Sequence, residues 1–234
     1  MTQQHTDEQR SDDRRLTEQR LAEQVATALA AGDASTRLRA ALHAGTNPRP
    51  EYVEALVRRC AVEPDFYVRD MLTWALTRAD REGTVAQVLL ELSSEVAQAR
   101  SQALHTLSKL GEPQTWPAIT EALLRDADDE VARAAWRAAT GLVPTGSEGA
   151  LAVVLATQLG RGDRDVRLSL SRAFGQLGDA GMAVLEGARS HADPEVAAHA
   201  TATLRLIEDP DEGFDAAIED ARRTVALLAS PTVS

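Results

Sequence analysis

Residues 166–178 read VRLSLSRAFGQLG, and the stretch returns four more times in altered form. VRDMLTWALTRA starts at Val68, ARSQALHTLSKLG at Ala99, VARAAWRAATGL at Val131 and VAAHATATLRLI at Val196. Successive starts lie 31, 32, 35 and 30 residues apart. Within each copy, small or apolar residues fall at offsets 0, 4, 7 or 8, and 11 from the start, which is one face of a helix. In the copy at Val131 these are Val131, Ala135, Ala138, Ala139 and Leu142.

A second amphipathic segment precedes each copy: EYVEALVRRC, VAQVLLEL, WPAITEALL, ALAVVLATQL and AGMAVLEGA. Pro113, Pro117 and Pro194 stand where first helical turns belong, and Gly111, Gly160 and Gly178 where helices should stop. Asp-rich turns such as DADDE and ADPE supply N-caps. A helix pair every 30 to 35 residues predicts an all-α, right-handed solenoid of about five to six pairs. RRLTEQRLAEQVATALAAG and STRLRAALHAG, within 14–44, read as two helices capping the first repeat, and a helix from about 211 to 229 as the cap on the last. No linker divides the chain, so the expectation is one domain over 13–229, with disordered tails at 1–12 and 230–234.

Composition narrows the chemistry. Hydrophobic residues make up 44%, mostly Ala and Leu, while aromatics are only 3%. No apolar run reaches the roughly 18 residues of a membrane span, and MTQQHTDEQRSDDRR lacks the apolar centre of a signal peptide, so a cytoplasmic protein is expected. Cys60, the single cysteine, shares an apolar face with Val53, Leu56 and Val57, which points to buried packing. The five histidines show no HxxxH or His-Glu spacing, and no Gly-rich phosphate loop or GxSxG is present, so no metal and no cofactor is expected. Net charge is −11, which disfavours nucleic acid as a partner. Seven of the acids fall within 208–220, and without them the charge is −4, which leaves room for a local basic groove.

The phrase V-R-x-x-A-x-x-A-L-x-x-L-G after a segment like WPAITEAL resembles the short HEAT-like, armadillo-like repeats related to phycobilisome lyases, over roughly residues 49–207. VRLSLSRAFGQLG matches best, with Leu170 and Phe174 replacing Ala and Leu; Ala132 stands where the third copy should have Arg. The resemblance implies that the second helix of each pair lines the concave surface.

Periodicity puts offsets 2, 5, 6 and 9 opposite the core side. These are Asp70, Thr73, Trp74 and Thr77, then Ser101, Leu104, His105 and Ser108, then Arg133, Trp136, Arg137 and Thr140. The last two copies contribute Leu168, Ser171, Arg172 and Gly175, and Ala198, Thr201, Ala202 and Arg205. The candidate binding residues are therefore Asp70, Trp74, His105, Arg133, Trp136, Arg137 and Arg172, an aromatic and arginine mixture typical of binding surfaces. Arg69, Arg100 and Arg167 recur at offset 1, which points to a structural bond within each repeat. Phe66 and Tyr67 are expected to staple the turn against the neighbouring pair.

These features favour a non-catalytic binding or scaffold module that docks a protein or peptide. Two alternatives remain. DFYVRDMLTWALTR is similar to a stretch of the alkylpurine DNA glycosylases, which implies that Asp70 and Trp74, with Arg133 and Arg137, could hold a damaged nucleotide. Against that, the chain is aromatic-poor and acidic. The repeat family alone suggests the other alternative, a cofactor lyase or accessory protein.

Overall fold

The structure is a computed structural model in which the backbone is described for residues 2–229 and the side chains for 15–227. Among the described residues there are helices and no strands. The helices gather into two compact units, one ending at Leu110 and the other beginning at Gly111.

The first unit holds α1 (Thr2–Leu29), α2 (Ala34–Thr46), α3 (Val53–Cys60), α4 (Phe66–Arg78), α5 (Arg81–Glu91) and α6 (Ala97–Leu110). A 3-10 turn, Pro50–Tyr52, leads into α3. The first helices, α1, α3 and α5, stack in one layer, and the second helices, α2, α4 and α6, in another. The backbone of α1 runs back to Thr2 through most of the stretch read as a tail, and no Gly or Pro interrupts it. The segment 230–234 lies outside the described residues.

The second unit holds α7 (Glu121–Leu124), α8 (Asp129–Leu142), α9 (Glu148–Ala156), α10 (Arg164–Gln176), α11 (Gly178–Ala188), α12 (Pro194–Glu208) and α13 (Phe214–Ala229). Here α8, α10 and α12 form the second-helix layer. WPAITEALL does not form one helix. Pro113 and Pro117 restrict it to a 3-10 stretch, Pro113–Ala118, followed by the single turn α7.

Capping follows the sequence. Asp33, Asp65, Asp128, Asp163 and Asp193 each accept an amide hydrogen bond at the start of a second helix. Gly111, Gly160 and Gly178 have φ of 67, 81 and 56°, the left-handed conformation that ends a helix without a Cβ penalty. The offset 0, 4 and 7 or 8 side chains are buried, as Val68, Leu72, Ala75 and Leu76 show in α4. Cys60 is buried as well, and burial pushes its thiol up to about 12, which removes it from thiolate chemistry.

The recurring arginines are structural. Arg69 Nη1 donates to the carbonyls of Glu63 and Pro64, both at 2.9 Å. Arg37 does the same to Ala31 and Gly32 at 2.9 and 2.8 Å, and Arg100 to Ser94 at 2.8 Å. Arg167 donates to Gly160 at 2.8 Å and Gly162 at 3.2 Å. Each guanidinium satisfies carbonyls of the loop that turns into its own helix; at Glu63 the carbonyl also accepts from Gln98 at 2.8 Å.

Two buried polar knots tie neighbouring repeats together. In the first unit the Glu63 carboxylate, fully buried, accepts from Arg37 at 2.8 and 2.9 Å, from Arg59 at 2.7 Å and from the Asp65 amide at 2.9 Å. In the second, His199 is fully buried; its Nδ1 accepts from the Gly160 amide at 3.0 Å. That bond assigns the proton to Nε2, which faces the Arg167 carbonyl and the Ser171 hydroxyl, each at 3.1 Å. Ser171 also meets Thr203 at 2.8 Å.

Candidate functional site

Helix register decides which side of the second-helix layer stays open. Offset 6 carries Trp74 and His105 in the first unit, both half-buried, and Arg137 and Arg172 in the second, both exposed. Offset 5 behaves differently. Thr73, Leu104, Trp136 and Ser171 are all buried, although the periodicity placed them outward. A second helix touches its first-helix partner and the second helices on either side, so its buried arc is wider than one segment's amphipathicity reveals. Ser171, hydrogen-bonded to His199 and Thr203 of the next repeat, shows this directly.

Trp136 is therefore a correction: it is a core residue with no exposed surface, not a ligand-facing one. Its Nε1 donates to the Leu124 carbonyl at 2.8 Å. Because α7 is one turn long, its last carbonyls lack helical partners, and the indole supplies one. Phe66 and Tyr67 are corrections of the opposite kind. They are 64% and 73% exposed and pack edge-to-face on each other at 5.6 Å rather than against a neighbouring helix pair.

In the first unit, Trp74 lies on α2. A Cβ added to Gly45 would come within 2.2 Å of the ring, so only glycine admits this contact. The Arg78 guanidinium sits 5.3 Å from the ring centroid and its Nε donates to the Gly45 carbonyl at 2.9 Å. Asp70, one turn before Trp74, is exposed. Leu42 of α2 is 41% exposed and extends the same strip, because Arg37 holds in α2 the place that Arg69 holds in α4. Leu42 lies before the first full copy at Val68, and Arg37 is the sequence signal that aligns it with Trp74.

In the second unit, three arginines meet on α8 and α10. Partial burial and the positive charges of Arg133 and Arg172 hold Arg137 below the ordinary guanidinium value, with Glu130 pulling the other way. Arg133 pairs with Glu130 at 2.7 Å, and its Nε is buried without a hydrogen-bond partner. Asp70, Trp74 and His105 lie in one unit and the three arginines in the other.

On α12 the same strip is covered. Helix α13 buries Phe214, Ala217, Ile218 and Ala221 against Ala198 and Ala202, the offset 2 and 6 residues of that repeat, with Leu168 and Leu206 at the edge. Asp215 of α13 binds Arg164 of α10 at 2.6 Å, and Asp220 binds Arg205 at 3.3 Å. The C-terminal helix thus seals the last repeat and reaches Leu168 of α10, on the side where Arg137 of α8 and Arg172 of α10 stay exposed.

Stacked helix pairs, with arginines holding the turns into α2, α4, α6 and α10, define the class: an all-α fold of repeated helix pairs. Residues 63–140 match the family model described as HEAT repeats. Among solved structures, the chain is similar to the complex of CpcE and CpcF of phycocyanin lyase from Nostoc sp. PCC7120. The identity is 18% over 87% of this chain and 94% of that chain, with a TM-score of 0.34. No curated protein sequence matches the chain. Among the described residues, no group of three or more His, Cys, Asp or Glu side chains could hold a metal ion, and no helix is long and apolar enough to cross a membrane.

Proposed function

We propose that the chain is a non-catalytic binding or scaffold module that docks a protein or peptide on the open strip of its second helices. The observation that carries this reading is Trp74 of α4, half-buried over Gly45 of α2 with the Arg78 guanidinium on its ring. Trp74 with Arg78 on its ring offers an aromatic and arginine anchor in the first unit, the residue types that dominate binding hot spots, and Leu42 adds exposed apolar surface at the equivalent position of α2.

The test is affinity capture with the full chain, comparing wild type with Trp74→Ala, Arg137→Ala and the pair. Loss of a partner in the variants, with unfolding curves unchanged, supports the reading. A partner list identical across all four proteins overturns it.

A further inference from the structure

The first helix pair, α1 and α2, departs from the repeat where it lines a cleft of about 300 Å³. Arg37 sits in α2 where Arg69 sits in α4, so Thr36, Arg39 and His43 occupy the places of Val68, Met71 and Ala75. Three apolar positions of the repeat are thus polar or cationic in α2, and all three line the cleft. Its floor stays apolar, built from Leu21, Val25 and Ala28 on one face of α1 and from the buried Ala40. We propose that this cleft binds a small amphiphilic carboxylate, its acid group held by Arg39 and His43 and its hydrocarbon lying on Leu21, Val25 and Ala40.

Arg39 and His43 are exposed and stand one turn apart on α2. Arg39 gives one Nη2 bond to the Thr36 hydroxyl at 3.1 Å and feels the charge of the capping Asp33, but makes no ion pair among the described residues. His43 meets the Asn47 amide at 3.5 Å through Nδ1, and its Nε2 makes no bond among the described residues. A terminal repeat needs a polar outer face for solubility, but Tyr52 goes beyond that need. Its ring is 1% exposed, it lines the cleft, and its hydroxyl has no hydrogen-bond partner among the described residues. A buried phenol left this way is costly unless a polar group reaches it through the opening. A carboxylate in the cleft is an acceptor for that hydroxyl as well as for the guanidinium.

Size decides between a small molecule and a protein segment. The cleft stands at the lower end of small-molecule sites, roughly 300–1,000 Å³. A stable protein interface covers about 800 Å² on each partner, far more than a floor of four side chains supplies. Along α1 the floor runs from Leu21 to Ala28, about 10 Å, which suits the tail of a medium-chain acid.

Isothermal titration of the full chain with octanoate, octanol and octylamine tests the proposal, since the three share a tail and differ in charge. Octanoate is expected to bind saturably and about tenfold or more tighter than octanol, with octylamine weaker still. Arg39→Gln with His43→Gln should weaken octanoate about tenfold or more and leave octanol unchanged. Tyr52→Phe, which keeps the ring, should weaken octanoate about threefold or more. Arg39 and His43 are exposed, and coincident urea curves establish that the variants fold. Methyl NMR shifts at Leu21 and Val25 locate the ligand on the floor.

Absence of saturable octanoate binding, octanol binding as tightly, or either variant binding octanoate like wild type overturns the proposal. So do methyl shifts confined to residues outside the cleft. The cleft is separate from the strip that carries Trp74 and Arg137, so the affinity-capture result bears on the protein-docking reading alone.

Discussion

Arg161 lies in the loop before α10, yet its guanidinium donates to the carbonyl of Asp126 at 2.6 Å, in the loop of the preceding repeat. It also reaches Ala127 at 3.2 Å and Asp129 Oδ1 at 2.9 Å. Asp126 and Ala127 are six and five residues before Ala132, the spacing at which Arg37 and Arg69 hold carbonyls before their own helices. The one copy among 68, 99, 131 and 166 that lacks its arginine therefore receives the bond from the next repeat.

Arg161→Ala should accordingly destabilise the chain by about 1–2 kcal/mol, the lower range for charged hydrogen bonds because the site is partly solvated. Urea midpoints measure this. Arg125→Ala, whose ion pair with Glu121 is more exposed, is the control and should shift stability by under about 0.5 kcal/mol.

Glu63→Gln should cost about 3 kcal/mol or more, because Arg37 would be left buried with its charge unpaired. Burial alone would raise the Glu63 carboxyl, but Arg37, Arg59 and the Asp65 amide outweigh it and hold the group at about 2, against an ordinary 4.5. A depressed carboxylate stabilises the fold above its unfolded value. The contribution is thus complete above pH 4.5 and lost as pH falls toward 2, and the Gln variant should lack this acid-labile component.

His199 produces a second and separate acid transition. Burial pushes its imidazole down to about 4 from 6.5, with the Arg167 carbonyl opposing. The unfolded chain binds the proton more readily, so stability is complete above pH 6.5 and declines as pH falls toward 4. The loss amounts to at most about 3 kcal/mol. Denaturant titrations every half pH unit should show it, and a His199→Gln variant, already weaker at pH 7, should show a flat profile across that window.

Gly45→Ala tests the seat of Trp74. The added methyl group meets the ring inside contact distance, so either the ring moves or the α2 and α4 backbones separate. A cost of about 1–3 kcal/mol is expected from overpacking. A solvent-exposed indole should appear in fluorescence quenching by acrylamide. Unchanged stability and quenching would count against the contact.

How much of this was legible in the sequence depends on the range of the forces involved. The repeat, its Asp caps and its glycine stops are local chemistry, and the helices at 66–78, 97–110, 129–142, 164–176 and 194–208 follow from them. Offset 1 was also legible, because Arg69, Arg100 and Arg167 recur and make the bonds that recurrence implied. Trp136 was not, since its burial depends on how short α7 is and on neighbours in other repeats. His199 gave no pattern at all. Its partners Gly160, Arg167 and Ser171 lie some 28 to 39 residues away, and only the stacking of α10 on α12 brings them together. The α13 helix was anticipated as a cap, but single-segment amphipathicity could not say which side of α12 it would take.

That placement has a consequence for length. With Ala198 and Ala202 sealed, the second unit exposes its arginine strip on only two adjacent second helices, α8 and α10. Helix axes in contact stand about 8–10 Å apart, so the open track is short, and α13 marks its end like the stop on a rail. Anything laid along α10 toward Leu168 would meet Phe214 and Ile218 already in place.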